Sequence, residues 1–179
     1  MNKILVINPG STSTKIAVYQ DEQQILLEVI RHSAEEIGRY EKIADQYEFR
    51  KDLIISKVQE KGIETNDFDA IIGRGGMVRP LESGVYAVNQ AMLDDLRNCR
   101  YSAEHASNLG GVIAYEMANT IGCPAYSFTM FGKLAASSVD APKTIAFSTP
   151  VYAPATYLST NAANPFCTCA TVAIIISFV

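Results

Sequence analysis

The chain has 179 residues, of which 48% are hydrophobic and 19% are charged, and this is the composition of a globular protein that can bury a substantial core. Its 15 basic and 19 acidic side chains give a net charge of −4, which argues against nucleic acid as the main partner. The first residues lack the apolar segment and cleavage site of a signal peptide, so a cytoplasmic location is expected.

The first predicted element is a β-hairpin over residues 4–18. Its apolar, β-branched residues are typical of strands, and Asn8-Pro9-Gly10 interrupts them with turn formers. The turn presents three hydroxyls and one ammonium group, those of Ser11, Thr12, Ser13 and Lys15.

Such a turn suits a phosphate or an acyl phosphate, because backbone N–H groups, hydroxyls and a cation supply many donors in little space. The carboxamide of Asn8 is able to hold water around a hard metal ion. The turn is not a Walker-type P-loop, since that spacing is missing and a strand rather than a helix is expected after Lys15. A Ser/Thr-rich surface hairpin with a solvated lysine is the alternative interpretation.

The next elements are a strand over residues 25–30, which completes a three-stranded meander, and an amphipathic helix over residues 33–61. Ser33 and Glu36 have the form of a capping box, and Gly62 is a helix stop.

A buried strand is predicted over residues 68–72, and it runs into Gly73-Arg74-Gly75-Gly76. Glycines leave the backbone open to a ligand, while the guanidinium of Arg74 can bind a carboxylate or phosphate with two bonds. A glycine-rich turn with a solvated arginine is the alternative.

Residues 78–88 contain two helix breakers and are predicted to be irregular to extended, as a flap over the ligand pocket. A helix capped by Asn89 and ending near Asn98 is expected next. A second helix over residues 102–121 would place His105 and Asn108 on one face.

An isolated histidine near a helix start is more often structural than a general acid or base. The better-supported role for His105 is that of a hydrogen-bond donor to a bound phosphate. Gly122 ends the helix, and a last strand follows, so the predicted order is βββαβααβ in the α/β class.

These segments carry a resemblance to a known family. The run INPGSTSTK at residues 7–15 resembles the N-terminal signature of the acetokinase family, and GRGG at 73–76 and EHASNLG at 104–110 resemble its butyrate kinase branch. The match covers residues 1 to about 127. It implies a ribonuclease-H-like domain of the actin-like ATPase superfamily over residues 1–128.

The resemblance also implies an activity, the reversible ATP-dependent phosphorylation of a short-chain fatty acid carboxylate, butyrate to butyryl phosphate, with Mg²⁺. It implies that Asn8 acts through the metal and that Arg74 binds the substrate carboxylate and takes part in catalysis. His105 is the second implied catalytic residue, with Asn108 beside it at the substrate. The implied phosphate ligands are Ser11, Thr12, Ser13 and Lys15. Neither nucleic acid nor membrane is an expected partner, and the full-length family implies a homo-oligomer.

Residues 129–179 do not match the family. All charged residues lie at or before Lys143, and residues 144–179 contain none. The terminal apolar run at 173–179 is far shorter than the roughly 20 residues that span a bilayer. The segment is either a native extension or an out-of-frame product, and its aggregation-prone composition favours the second.

The family's metal-binding aspartate is missing, because the nearest carboxylate, Asp140, does not match its position. We therefore expect the chain to be truncated and not to turn over alone. ATP-dependent hydroxamate formation from butyrate and hydroxylamine would contradict this. Cys167 and Cys169 show no partner histidine at metal-binding spacing, so the thiols are expected to be idle. The alternative function is a non-catalytic phosphate-binding or interaction module of the actin-like fold.

Overall fold

A computed structural model describes residues 1–80 and 84–129 of the chain, and all structural statements concern these residues. The predictions made for the C-terminal segment, including those on Asp140, Cys167 and Cys169, lie outside the described residues. The same is true of the middle of the predicted flap, residues 81–83.

One mixed β-sheet forms the centre of the fold, with the strand order β3-β2-β1-β4-β6-β5. Its strands are β1 (Lys3–Pro9), β2 (Ser13–Gln20), β3 (Gln23–Arg31), β4 (Ala70–Arg74), β5 (Gly84–Ala87) and β6 (Ala125–Thr129).

The strand directions bring three carboxyl ends to one edge of the sheet. β1 pairs with β4, and β4 with β6, in parallel, whereas β2, β3 and β5 join by antiparallel pairing. The β1–β2 turn lies at the same edge as the ends of β1 and β4. This topology confirms the predicted α/β class and its ribonuclease-H-like arrangement.

Four α-helices accompany the sheet in the described residues, namely α1 (Ala34–Ile37), α2 (Tyr47–Glu60), α3 (Gln90–Arg97) and α4 (Leu109–Ile121). Short 3-10 helices precede α2 at Ile43–Gln46, β4 at Thr65–Asp67 and α4 at Ala106–Asn108. Among these helices none is long and apolar enough to cross a membrane.

The main core lies between the sheet and α2 and α4. Leu5 and Ile71 from the sheet pack with Ile54 of α2 and Ile113 of α4, and all four side chains are fully buried. Each such side chain contributes roughly 1.5–3 kcal/mol by leaving water. Strand residues alternate between faces, so a second buried cluster forms on the opposite face, with Val6 and Ile72 at its centre.

Several predicted elements are confirmed. The three-stranded meander is present, and the capping box of Ser33 and Glu36 makes both of its reciprocal bonds. Asn89 caps α3 by accepting a hydrogen bond from the backbone N–H of Met92. Gly122 ends α4 in the left-handed conformation, with φ of 87°.

Two predicted helix boundaries are wrong, and one strand is absent from the predicted order. The helix expected over 33–61 is interrupted between α1 and α2, where Gly38 ends α1. The segment expected to be irregular to extended contains the additional strand, β5, which pairs with β6 and extends the sheet. The helix expected from Ser102 starts at Leu109, because His105 caps a 3-10 helix instead of lying inside an α-helix.

Candidate functional site

The carboxyl edge of the sheet carries a row of polar side chains. Asn8 of β1 pairs with Lys15 of β2. On the other side of β1, Ile7 pairs with Gly73 of β4, so the next residues along the two strands, Asn8 and Arg74, are also neighbours. Side chains at paired positions share a face of the sheet. The Nη1 atom of Arg74 donates to Oδ1 of Asn8 at 3.4 Å. The structure therefore brings together Asn8, Lys15 and Arg74.

The β1–β2 turn beside this row, which we call the phosphate turn, comprises residues 10–13. It is closed by a 2.7 Å bond from the N–H of Gly10 to the carbonyl of Ser13, and the carbonyl of Thr12 accepts from the N–H of His32. No acceptor in the described residues bonds the N–H of Ser11 or Thr12. Likewise, the hydroxyls of the turn and the exposed Lys15 ammonium make no bond to the described residues.

The floor of the phosphate turn is a buried guanidinium that the sequence analysis missed. Arg50 of α2 is only 1% exposed. Its Nη1 donates to the carbonyl of Gly10 at 2.8 Å and of Ser13 at 3.4 Å, and its Nη2 donates to the carbonyl of Ser11 at 3.3 Å. Arg50 thus connects α2 to three of the four turn residues.

The other partners of Arg50 are also neutral. Gln46 accepts from Nε at 3.2 Å and from Nη2 at 2.9 Å, and Thr14 Oγ1 accepts from Nη1 at 3.1 Å. Within the described residues Arg50 forms no salt bridge. Burial lowers the pKa of the guanidinium, but arginine stays protonated in proteins.

The sequence shows only that Arg50 lies four and eight residues before Ile54 and Val58, on the apolar stripe of the predicted helix. Buried residues recur every four positions along this part of the chain, at Gln46, Arg50, Ile54 and Val58. A charged side chain in a buried helical stripe needs internal partners, so its position alone marks it as unusual. Its main partners are backbone carbonyls, which no side-chain pattern reveals.

His32 lies behind the same turn. Its Nε2 is 2.9 Å from Thr14 Oγ1, its ring lies against Phe49, and the side chain is buried. Burial lowers the pKa of the imidazole, and the positive charge of Arg50 lowers it further, against a smaller opposing effect of Glu36.

The glycines around Arg74 have a packing role that the sequence did not indicate. A Cβ on Gly73 would lie 2.1 Å from the carbonyl oxygen of Gly110, so β4 and α4 are in backbone contact there. Gly75 and Gly76 adopt φ of 91° and 93°, and added Cβ atoms would approach Ser107 and Leu96. The space beside these glycines is therefore occupied by the chain itself.

His105 lies at the start of the 3-10 helix before α4, in an exposed position. Its Nδ1 accepts from the backbone N–H of Ser107 at 3.1 Å and lies 2.8 Å from the Ser107 hydroxyl. Because Nδ1 is an acceptor in this arrangement, the proton of the neutral ring resides on Nε2. His105 thus has an N–H donor available on its outer side.

Asn108 is 4% exposed and its amide is bonded at both ends. Oδ1 accepts from the N–H of Met77 at 3.1 Å, and Nδ2 donates to Ser102 Oγ at 3.4 Å and to Cys99 Sγ at 3.5 Å. The side chain therefore links the segment that follows β4 to the segment that follows α3. Its predicted contact with substrate stays a prediction.

His105 and Asn108 line a cleft of about 250 Å³ on the helix side of the sheet. Its walls come from the 3-10 helix before α2, the end of α3 and the start of α4, and they are mainly apolar, with Ile43, Leu96 and Val112. The remaining predicted site residues, on the phosphate turn and the adjoining row, do not line this cleft. The site therefore has two neighbouring parts.

Among the described side chains predicted to form the site, Asn8 is the one candidate for a contact with Mg²⁺. Within residues 1–80 and 84–129, no three His, Cys, Asp or Glu side chains cluster as a metal-binding group. Asn8 offers one carboxamide oxygen, which already accepts from Arg74. Mg²⁺ commonly keeps several waters and binds substrate phosphates, so Asn8 fits contact through a metal-bound water.

No family model matches the chain. Among the solved structures similar to it are three whose sequences are distant. Over 72% of its length the chain is similar to an acetate kinase from Porphyromonas gingivalis, at 16% identity and a TM-score of 0.49, covering 37% of that chain. The chain is also similar to a propionate kinase from Francisella tularensis, at 18% identity and a TM-score of 0.43. This match covers 72% of the chain and 37% of the propionate kinase.

The third is T. thermophilus RuvC in complex with a Holliday junction substrate, at 11% identity and a TM-score of 0.41, with 72% of this chain and 65% of that chain covered. The chain thus spans less than two thirds of each of these proteins. Such low identities and TM-scores carry no argument about activity, so the function has to be argued from the site itself.

Proposed function

We propose that the described residues bind the phosphoryl and carboxylate groups in an acyl kinase, which transfers the γ-phosphoryl group of ATP reversibly to a short-chain fatty acid such as butyrate. The observation that carries this proposal is the meeting of the phosphate turn with Lys15 and Arg74 at the carboxyl edge of the sheet. Ligands of open α/β sheets bind beyond this edge.

Each side chain has a proposed part in the reaction. A carboxylate oxygen attacks the γ-phosphorus as the bond to the bridging oxygen of ADP breaks, and catalysis requires positioning and charge neutralisation. Arg74 would hold the carboxylate, Lys15 would neutralise the phosphoryl oxygens, and Nε2 of His105 would donate to them. The hydroxyls of the turn, those of Ser11, Thr12 and Ser13, would complete the phosphate contacts.

ATP and Mg²⁺ are the proposed co-substrate and cofactor. Mg²⁺ bound with the nucleotide would supply further charge neutralisation, and Asn8 would contact it through water. No described residue is assigned to the adenosine group.

The phosphate turn is tested with a double substitution. Ser13→Ala with Lys15→Ala removes a hydroxyl and the exposed cation, so binding of inorganic phosphate should weaken by about tenfold or more. The measurement is a ¹H–¹⁵N NMR titration that follows the amides of Ser11 and Thr12. Lys57→Ala is the control, since Lys57 is an exposed lysine paired with Glu60. Unchanged affinity in the double variant would refute the proposal.

The role of Arg74 is tested by ligand selectivity. Arg74→Met removes the proposed two-bond contact with the carboxylate, so butyrate binding should weaken by about tenfold while inorganic phosphate, held by the turn, changes less. Titrations of the same labelled protein with the two ligands give both affinities. Equal losses for butyrate and phosphate would argue against a separate carboxylate site.

A non-catalytic phosphate-binding module is the second candidate. It is favoured by the charge beside the phosphate turn, because the side chains that meet there, Asn8, Lys15 and Arg74, are neutral or basic. The carboxylates of Asp45 and Glu104 line the separate cleft. Phosphate binding by the turn without any binding of butyrate would support this candidate over the acyl kinase.

A further inference from the structure

The turn carbonyls that Arg50 binds determine where the turn N–H groups point. In a trans peptide unit the C=O and the N–H lie on opposite sides. The carbonyl of Gly10 shares a peptide unit with the N–H of Ser11, and the carbonyl of Ser11 shares one with the N–H of Thr12. Because both carbonyls bond Arg50, both N–H groups are directed away from it.

The two N–H groups point out of the fold, since Arg50 is the buried floor of the turn. Neither has an acceptor in the described part of the chain, and the side chains of Ser11 and Thr12 are exposed. Successive outward N–H groups form an anion-binding concavity. The orientation of this donor pair therefore depends on a residue of another element.

The charge of Arg50 adds to this orientation. All its acceptors are carbonyl, carboxamide or hydroxyl oxygens, so none cancels the positive charge. In a buried environment the field of such a charge is screened less than at the surface. The same guanidinium can therefore hold the turn and attract the anion.

We propose that Arg50 is a positioning residue, which orients the Ser11 and Thr12 amides toward a bound phosphate and adds its buried positive charge to the site. The proposal rests on the phosphate-binding function proposed for the turn. It assigns an electrostatic and orienting role to a side chain that does not touch the ligand.

Three variants separate orientation from charge. Arg50→Met removes both, and Arg50→Lys keeps the charge but lacks the fork that reaches several carbonyls. Gln46→Glu keeps an acceptor for Nε and Nη2 but places a negative charge beside Arg50, so it changes the field while keeping the bonds. Arg39→Met is the control, because Arg39 is an exposed arginine paired only with Glu35 in the described residues.

Phosphate affinity from NMR titration of the full chain should fall by about tenfold in Arg50→Met and by about fivefold in Gln46→Glu, and should stay unchanged in Arg39→Met. The phosphate affinity of Arg50→Lys should lie between those of the wild type and Arg50→Met. If Arg50 only held the structure together, Gln46→Glu would bind phosphate with wild-type affinity. That result, or an Arg50→Met affinity equal to that of the wild type, would overturn the proposal.

A separate measurement distinguishes failure of this inference from failure of the proposed function. Absence of any phosphate-induced shift in the wild type would refute phosphate binding by the turn. The orientation of the Ser11 and Thr12 N–H bonds is then read directly from residual dipolar couplings, without ligand. Couplings that change in Arg50→Met support the orienting role, and couplings identical to the wild type refute it.

Discussion

Thr14 connects the two buried basic side chains behind the phosphate turn through one hydroxyl. Arg50 can only donate to this oxygen, so the hydroxyl proton is free to go to Nε2 of His32, which must then be unprotonated. A protonated His32 would bring a second positive charge next to Arg50. The geometry and the lowered pKa of His32 therefore agree on a neutral ring.

This neutral ring predicts a pH dependence of stability. The folded-state pKa of His32 lies below the ordinary histidine value of about 6.5, so folding favours the neutral form. The free energy of unfolding should fall as the pH drops below about 6.5 toward the folded-state pKa, because the unfolded chain binds the proton first. Urea unfolding between pH 7 and pH 5 should show a larger loss for the wild type than for His32→Asn.

The exposed His105 provides the matched control for this titration. His105→Gln should keep the pH dependence of the wild type, since the side chain of His105 is exposed, whereas that of His32 is buried. An identical pH profile for His32→Asn and the wild type would show that His32 does not couple to folding.

The candidate site was only partly predictable at the level of residues. The meeting of the turn hydroxyls, Lys15 and Arg74 at one edge of the sheet was predictable, because turn formers and strand ends mark these positions in the sequence. Arg50 was not, since its main partners are backbone carbonyls 37 to 40 positions away. Long-range bonds to the backbone leave no local pattern in a sequence.

At the scale of elements, β4 and α4 approach so closely that one position excludes any side chain. A Cβ on Gly73 would lie 2.1 Å and 2.2 Å from backbone atoms of Gly110, which cannot move aside as a side chain can. Gly73→Ala should lower the free energy of unfolding by about 3 kcal/mol, because α4 has to shift on the sheet. Urea unfolding measures this difference.

Gly84→Ala in β5 is the control, since the nearest atom to its Cβ among the described residues would be a Tyr86 ring carbon at an ordinary 3.4 Å. We expect a change within about 0.5 kcal/mol there. If both alanine substitutions lowered the free energy of unfolding equally, the loss would come from replacing a strand glycine and not from the contact with α4.

Elements with strong end signals were predicted best. Caps at Ser33 and Asn89 and the stop at Gly122 have side-chain or φ requirements that the sequence displays. β5 was missed because a four-residue strand is too short to show alternation, and it exists through its pairing with β6. The late start of α4 was missed because Nδ1 of His105 caps the preceding 3-10 helix.

At the scale of the whole molecule, an acidic chain collects positive charge at its candidate site. The net charge is −4, whereas Lys15, Arg74 and Arg50 lie on or beneath one edge of the sheet. A local concentration of one charge on an oppositely charged protein attracts anions to that position.

Salt should act differently on the exposed and the buried cation. Raising the NaCl concentration from about 0.05 M to about 0.5 M should weaken phosphate binding, because exposed charges are screened within about a Debye length. Lys15→Ala should flatten this dependence, while Arg50→Met should lower the affinity and keep the slope. Calorimetric titrations at several salt concentrations give the slopes, and equal flattening in both variants would contradict a shielded Arg50.

The bonds of Arg50 also set an order of events in folding. The β1–β2 hairpin joins neighbouring residues, whereas the bonds from Arg50 to the turn close loops of 37 to 40 residues. Short-range contacts form faster than long-range ones, so the hairpin can assemble before α2 docks beneath it. A nascent chain that stops short of Arg50 carries the hydroxyls and the lysine but lacks the guanidinium that orients the amides. Phosphate would then recognise the finished fold in preference to its intermediates, and its presence during refolding would draw the population toward the native state.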